Sequence, residues 1–394
     1  MLRSVSLIGQ LITLPLLLHN YTKHEYTIWI IANAFAAFML VSDSGIIQGF
    51  TTAISSQHSL TNHLNGNLGL KARKWLTFNQ LSLGILLLLI LSLGVANTNP
   101  IAHESKLVIL LMIGNVLSVA QHYLLMIFQF KGKYSHGVLT IGIYKAIEVS
   151  LLTFLLALHF GLQIVAFSIL LSRSLSVLHM FLTSRGLSWN FEICSDTGNL
   201  KNSITAALSM NAAVLFANQG ILVVLGSWAS DSQIIFFTLG RMFLSPIRIL
   251  ADSSSLGMFS DFLSRNGGRN DSLNPLRRVW YFYLLSTLYF LFFMVVQNPI
   301  VSRFFHDQIT HSPLQLAIFL VSTCLDGAIS FYFQVYLLNG RGRMFGATYL
   351  LLTIVYLIVG LVLIHNVILV LFLNILCDIA TLLIAQRLKE IEYK

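Results

Sequence analysis

The chain has 394 residues, of which 56% are hydrophobic and only 10% charged, with a mean hydropathy of +0.77 and a formal net charge of +9. A soluble domain is about 25% charged. A chain this poor in charge cannot cover a water-facing surface, so an all-α polytopic membrane protein is expected.

Crossing ~30 Å of hydrocarbon takes about 17–25 apolar residues per helix. Twelve stretches qualify: 4–19, 27–50, 75–96, 107–128, 137–158, 162–183, 203–225, 233–257, 279–297, 313–337, 346–365 and 367–386. The first could be a short signal peptide, but no small-x-small cleavage site follows it, so it is read as a span. The linkers at His159–Gly161 and His365–Asn366 are the shortest.

Polar residues inside these spans fall into stripes. A charge at the centre of a span costs about 2.5–3.5 kcal/mol on insertion scales, so it normally faces protein or a wet cavity. Span two carries Asp43 near one end. Span four places Asn115, Ser118, His122 and Gln129 on one side, with His122 either packed or a proton relay. Span five has Lys145 and Glu148 at i, i+3, which either neutralise each other or face the interior. Span six has Arg173 and Ser176, and span seven has Asn211 and Asn218. In span eight, "FTLGRMFLSPIRILAD" (237–252) puts Arg241 and Arg248 seven residues apart, about 700° of helix turn, and so on one face. Ser245 and Asp252 lie near that face, and Pro246 is expected to kink the helix. Arg248 can pair with Asp252 at i+4, whereas Arg241 has no acid at that spacing. Span ten has Gln315, Ser322, Asp326 and Ser330 on one side, and span twelve has Asn374 and Asp378. Neither Asp326 nor Asp378 has a cation on its own helix. Each is expected to be protonated or paired across helices, with Arg241 and Arg173 the candidate partners. Single serines and asparagines can simply bind helices together. Stripes in several helices at once point to a shared wet interior.

With the N-terminus taken as cytoplasmic, the inner segments hold seventeen basic residues. The opposite loops hold only Lys23, Lys106 and Arg303. This alternation predicts both termini inside, and it accounts for the net charge without any nucleic acid partner. A short outer loop after spans one and seven, then a long basic loop after spans two and eight, suggests two parallel repeats, 1–200 and 201–394. Such repeats place a site between two six-helix lobes. No GxxxxGK[ST], HExxH or GxSxG occurs, and no extramembrane segment exceeds roughly 25 residues. An enzyme and a cofactor are therefore not expected. Uphill transport without a P-loop would draw on a proton or sodium gradient or on removal of the product by later steps, with Asp326, Asp378, Glu148 and Asp43 as the coupling candidates for an ion.

Two stretches resemble the polysaccharide flippases of the Wzx type, in the multidrug/oligosaccharidyl-lipid/polysaccharide exporter superfamily. "HEYTIWIIANAFAAFMLVSDSGIIQGF" (24–50) is similar to their second span, with Glu25, Tyr26, Asp43 and Gly45 matching the motif. "NQGILVVLGSWASDSQIIFFTLGRMF" (218–243) is similar to their seventh and eighth, with Gln219, Gly220, Gly226 and Arg241 matching. Thr27 stands where glycine is frequent, and Ala229-Ser230-Asp231 replaces a frequent Gly-Pro. The resemblance implies two six-helix bundles around a central cavity. It also implies transfer of undecaprenyl-pyrophosphate-linked oligosaccharide, such as an O-antigen repeat unit, from the inner to the outer leaflet of the bacterial inner membrane. Expected partners are the lipid-linked oligosaccharide, the bilayer, a polysaccharide polymerase and a chain-length regulator. Arg241, Arg173, Arg248 and Lys145 become candidate hosts for the pyrophosphate, since arginine's planar fork matches phosphate oxygens. Charge counting alone leaves a multidrug cation antiporter of the same fold open, as well as a membrane polymerase or ligase of lipid-linked glycan.

Overall fold

The computed structural model describes residues 2–40, 104–130, 133–184, 197–264, 280, 282–295, 313–338, 342–362 and 367–390. Span three and Asp43 lie outside them. Elsewhere the predicted spans become helices. These are α1 (Leu2–Asn20), α2 (Lys23–Ala37, extended by a 3-10 turn to Leu40), α3 (Ser105–Phe130), α4 (Tyr134–Ala157) and α5 (Leu162–Ser184). There follow α6 (Thr197–Leu215), which runs through a π-helical segment at Phe216–Gly220 into α7 (Ile221–Trp228), and α8 (Asp231–Ser264). The last four are α9 (Phe282–Val295), α10 (Pro313–Leu338), α11 (Gly342–Val362) and α12 (Val367–Glu390). Among the described residues, seven helices are long and apolar enough to cross a membrane, and the chain is a multi-pass membrane protein.

Local chemistry sets the corners. Thr22 and Glu25 form a capping box at the start of α2: the Glu25 N–H donates to the Thr22 hydroxyl at 3.2 Å, and the Thr22 N–H donates to the Glu25 carboxylate at 2.9 Å. Ser230 and Gln233 repeat the device at the start of α8, at 3.4 and 3.0 Å. The two corners face each other, with His24 Nδ1 3.6 Å from Asp231. At the α4–α5 turn His159 takes φ 55°, a left-handed conformation unusual outside glycine. Its Nδ1 lies 2.9 Å from the Asn20 carbonyl, and Tyr21 donates to the Phe160 carbonyl at 2.5 Å, so this turn is tied to the α1–α2 turn.

Helices α1 to α5 pack on one another and α6 to α12 on one another, while α2 meets α7 and α8 across the seam. There Gly226 admits Ile31: a Cβ at Gly226 would lie 2.4 Å from its Cδ1. Phe154, Phe292, Leu351 and Leu376 are exposed on the outside, as a lipid-facing surface requires. Pro246 lies inside α8 without ending it. Proline has no N–H to offer the Met242 carbonyl, and the Ser245 hydroxyl donates to that carbonyl instead, at 2.7 Å.

Candidate functional site

A cavity of about 720 Å³ opens between the two groups of helices and is lined from both. Its size is that of a small-molecule site. Many of the polar stripe residues read from the sequence converge on it, although Ser176 and Gln315 are not part of its lining. Asn115, Ser118 and His122 of α3 line it, as do Lys145 and Glu148 of α4, Arg173 of α5, Asn218 of the π segment, Arg241, Ser245 and Arg248 of α8, Ser322 and Asp326 of α10 and Asn374 of α12. Asn211 instead bonds its own helix at the Ala207 carbonyl, and Ser330 does the same at Asp326.

On the wall built from α3, α4 and α5, Glu148 is buried and receives two cations. Lys145 Nζ lies 2.5 Å from Oε1, while Arg173 reaches Oε2 at 3.1 Å and Oε1 at 3.3 Å. Arg173 also donates to Asn115 Oδ1 at 2.6 Å. The expected Lys145–Glu148 pair is therefore present but shared. Arg173 is not the partner of Asp326 or Asp378 that the sequence suggested. The reason is geometric: α4 and α5 pack directly on each other, which brings Glu148 within reach of Arg173.

On the opposite wall Arg241 donates to the Asn218 carbonyl at 2.5 Å and lies 5.2 Å above the Phe237 ring. The π-helical turn at Phe216–Gly220 supplies that carbonyl, since a π turn disrupts the regular i→i−4 ladder. Sequence reading did not find this anchor. In "FANQG", Asn218 reads as an ordinary stripe residue, and Gln219 and Gly220 read as part of the family resemblance rather than as a break in the helix. The side chain of Asp252, the expected partner of Arg248, lies outside the described residues.

Asp378 is fully buried and does not line the cavity. It is linked to Asp326 through Tyr349, whose hydroxyl is 3.4 Å from Asp326 Oδ1 and 3.5 Å from Asp378 Oδ1. Asn374 donates to Asp378 at 3.3 Å and to the Ser322 hydroxyl at 2.9 Å. Tyr349 was not singled out from the sequence because its neighbours one turn away, Phe345, Gly346, Leu352 and Thr353, include no charged residue.

No protein-family model matches the sequence, and no curated protein matches it. Solved structures do. A MATE variant aligns over 100% of this chain and 94% of its own, at 15% identity and a TM-score of 0.59. The chain has the fold of the MATE transporters, twelve membrane helices in two bundles. A Vibrio cholerae MATE transporter aligns over 97% of this chain and 92% of its own, at 11% identity and a TM-score of 0.57. A transporter of the MOP superfamily from Pyrococcus furiosus, described as having a binding pocket of reverse polarity that suggests a different function, aligns over 100% and 94%, at 16% identity and a TM-score of 0.52.

Proposed function

We propose that this protein is a transporter of the multidrug/oligosaccharidyl-lipid/polysaccharide exporter superfamily, and that it moves an anionic lipid-linked oligosaccharide from the inner to the outer leaflet of a bacterial cytoplasmic membrane. The carrier is taken as undecaprenyl pyrophosphate and the cargo as a surface-polysaccharide repeat unit such as O-antigen. The observation that carries this reading is the charge of the cavity wall. Its described lining includes four permanent cations, Lys145, Arg173, Arg241 and Arg248, against two acids, Glu148 and Asp326. The sequence places four cations against five acids in the spans; Asp378 sits outside the lining, Asp43 and the side chain of Asp252 lie outside the described residues, and the described lining carries a cationic surplus. A cation drug would meet repulsion there, whereas a pyrophosphate gains charge-assisted hydrogen bonds in a poorly solvated site. The Pyrococcus furiosus neighbour supports the general point that pocket polarity varies on this fold along with function.

In this reading the N- and C-termini are cytoplasmic, and a polymerase and a chain-length regulator act on the product outside. No bond is made or broken. Deletion of the gene tests it. Surface glycan should fall while the lipid-linked intermediate accumulates, and expression of the protein should reverse both. Normal surface glycan together with a new sensitivity to lipophilic cations would point instead to a multidrug antiporter.

A further inference from the structure

The wall formed by α3, α4 and α5 does more than add positive charge. Glu148 lines the cavity although it is only 5% exposed. The side chains of Lys145 and Arg173 around it are 27% and 16% exposed. Two cations converging on one carboxylate, with Asn115 fixing the outer nitrogen of Arg173, is the arrangement an anionic ligand would find useful. Here the protein's own anion occupies it. That anion is tethered to α4 and loses no translational freedom on binding, so it competes as if at high effective concentration. A ligand with a single negative charge gains nothing by replacing it. A pyrophosphate diester carries two charges and more acceptor oxygens, spread over two phosphoryl groups, and so can win the exchange.

We propose that Glu148 is an intramolecular counter-anion, displaced from Arg173 and Lys145 by the pyrophosphate of the substrate, and that it sets a charge threshold for occupancy of the cavity. This rests on the reading that the cavity takes a pyrophosphate head group. When the ligand leaves, Glu148 returns to the two cations, which are then not left bare in a low-dielectric site. Glu148 thus determines specificity by acting through Arg173 and Lys145.

The test uses purified full-length protein in lipid nanodiscs, with inorganic pyrophosphate and the mono-anion dimethyl phosphate as probes. Affinities are measured for the wild type, Glu148→Gln, Lys145→Gln and Arg241→Ala. Wild type should prefer pyrophosphate strongly. In Glu148→Gln both probes should bind more tightly, and dimethyl phosphate should gain more, so that the preference for pyrophosphate falls by about tenfold. Lys145→Gln leaves one cation for one carboxylate and should weaken pyrophosphate binding by about tenfold. A purely structural ion pair would alter stability but not the ratio between probes. An unchanged ratio in Glu148→Gln, with Arg241→Ala still weakening pyrophosphate, overturns the counter-anion and leaves the anion site standing. If Glu148→Gln does not fold, Lys145→Gln decides, and unchanged pyrophosphate affinity there overturns the proposal. Absence of pyrophosphate binding in both wild type and Glu148→Gln overturns this inference and the proposed function together.

Discussion

Arg241 is held at two points, by the Asn218 carbonyl at 2.5 Å and by the face of Phe237 at 5.2 Å. Both contacts orient the guanidinium while leaving it in the cavity wall. A guanidinium so placed presents further donors in a fixed plane, which suits a phosphate better than a mobile ammonium does. Under the proposed function Arg241→Ala should cut export by at least about tenfold at normal protein level, and Arg241→Lys should keep part of it, since charge survives but the fork does not. Surface glycan measured beside the membrane level of each variant checks this; full export by Arg241→Ala would remove Arg241 from the site. The residue itself was legible in the sequence because a permanent charge in an apolar span is conspicuous. Its anchors were not, because they belong to a different helix and to backbone geometry. The same division runs through the other wall. The Lys145–Glu148 spacing announces a pair within α4, whereas Arg173 joins that pair from 25 residues away and only helix packing brings it there.

At the level of elements, α11 shows how close helix approach is written into the chain. Gly346, Tyr349, Thr353, Tyr356 and Gly360 are its buried seam, spaced three and four residues apart. The two glycines are not equivalent. A Cβ at Gly346 would lie 2.8 Å from the Ala206 carbonyl oxygen of α6, a backbone atom that cannot step aside. A Cβ at Gly360 would lie 3.5 Å from Ile221 Cδ1, an ordinary contact. Gly346→Ala should therefore destabilise the protein by about 1–3 kcal/mol through overpacking. Gly360→Ala should stay within about 0.5 kcal/mol. Thermal unfolding of the two variants in the same detergent compares them directly, and equal melting temperatures would show that α6 and α11 do not meet as closely as described. Helix existence was legible because apolar length alone decides it: α10 ends one residue beyond its predicted limit, at Leu338. The short linker at His159–Gly161 did split two helices, with His159 taking the left-handed turn. The π segment was not legible, since a π turn has no periodicity of its own and is stabilised by what it packs against. Here it meets Leu357 of α11 at Gly220 and Arg241 of α8 at Asn218.

For the whole molecule, the proposed function raises the question of how movement of the two groups of helices would be driven. The chain carries no GxxxxGK[ST], so an ATP-hydrolysing P-loop of its own is not available. The buried acids offer a route. Asp326 faces the cavity and Asp378 does not, yet one hydroxyl, that of Tyr349, lies within 3.5 Å of both. A hydroxyl has a single proton to donate, so it can serve one carboxylate at a time. A proton or a sodium ion arriving from the cavity would change which carboxylate Tyr349 serves. The change would pass from α10, through α11, to α12, where Asn374 ties Asp378 back to Ser322 of α10. Under the proposed function such an element would have two states for an ion gradient to bias, as coupling requires. The alternative is a fixed polar contact that only holds three helices together. Flipping of lipid-linked oligosaccharide in proteoliposomes separates the two. Wild type should respond to an imposed pH or sodium gradient. Asp378→Asn should lose that response while retaining pyrophosphate binding at the cavity, because Asp378 lies outside the cavity lining. Flipping that ignores both gradients in wild type would leave Asp326, Tyr349 and Asp378 as structural, and the driving force would then have to come from removal of the product on the far side of the membrane.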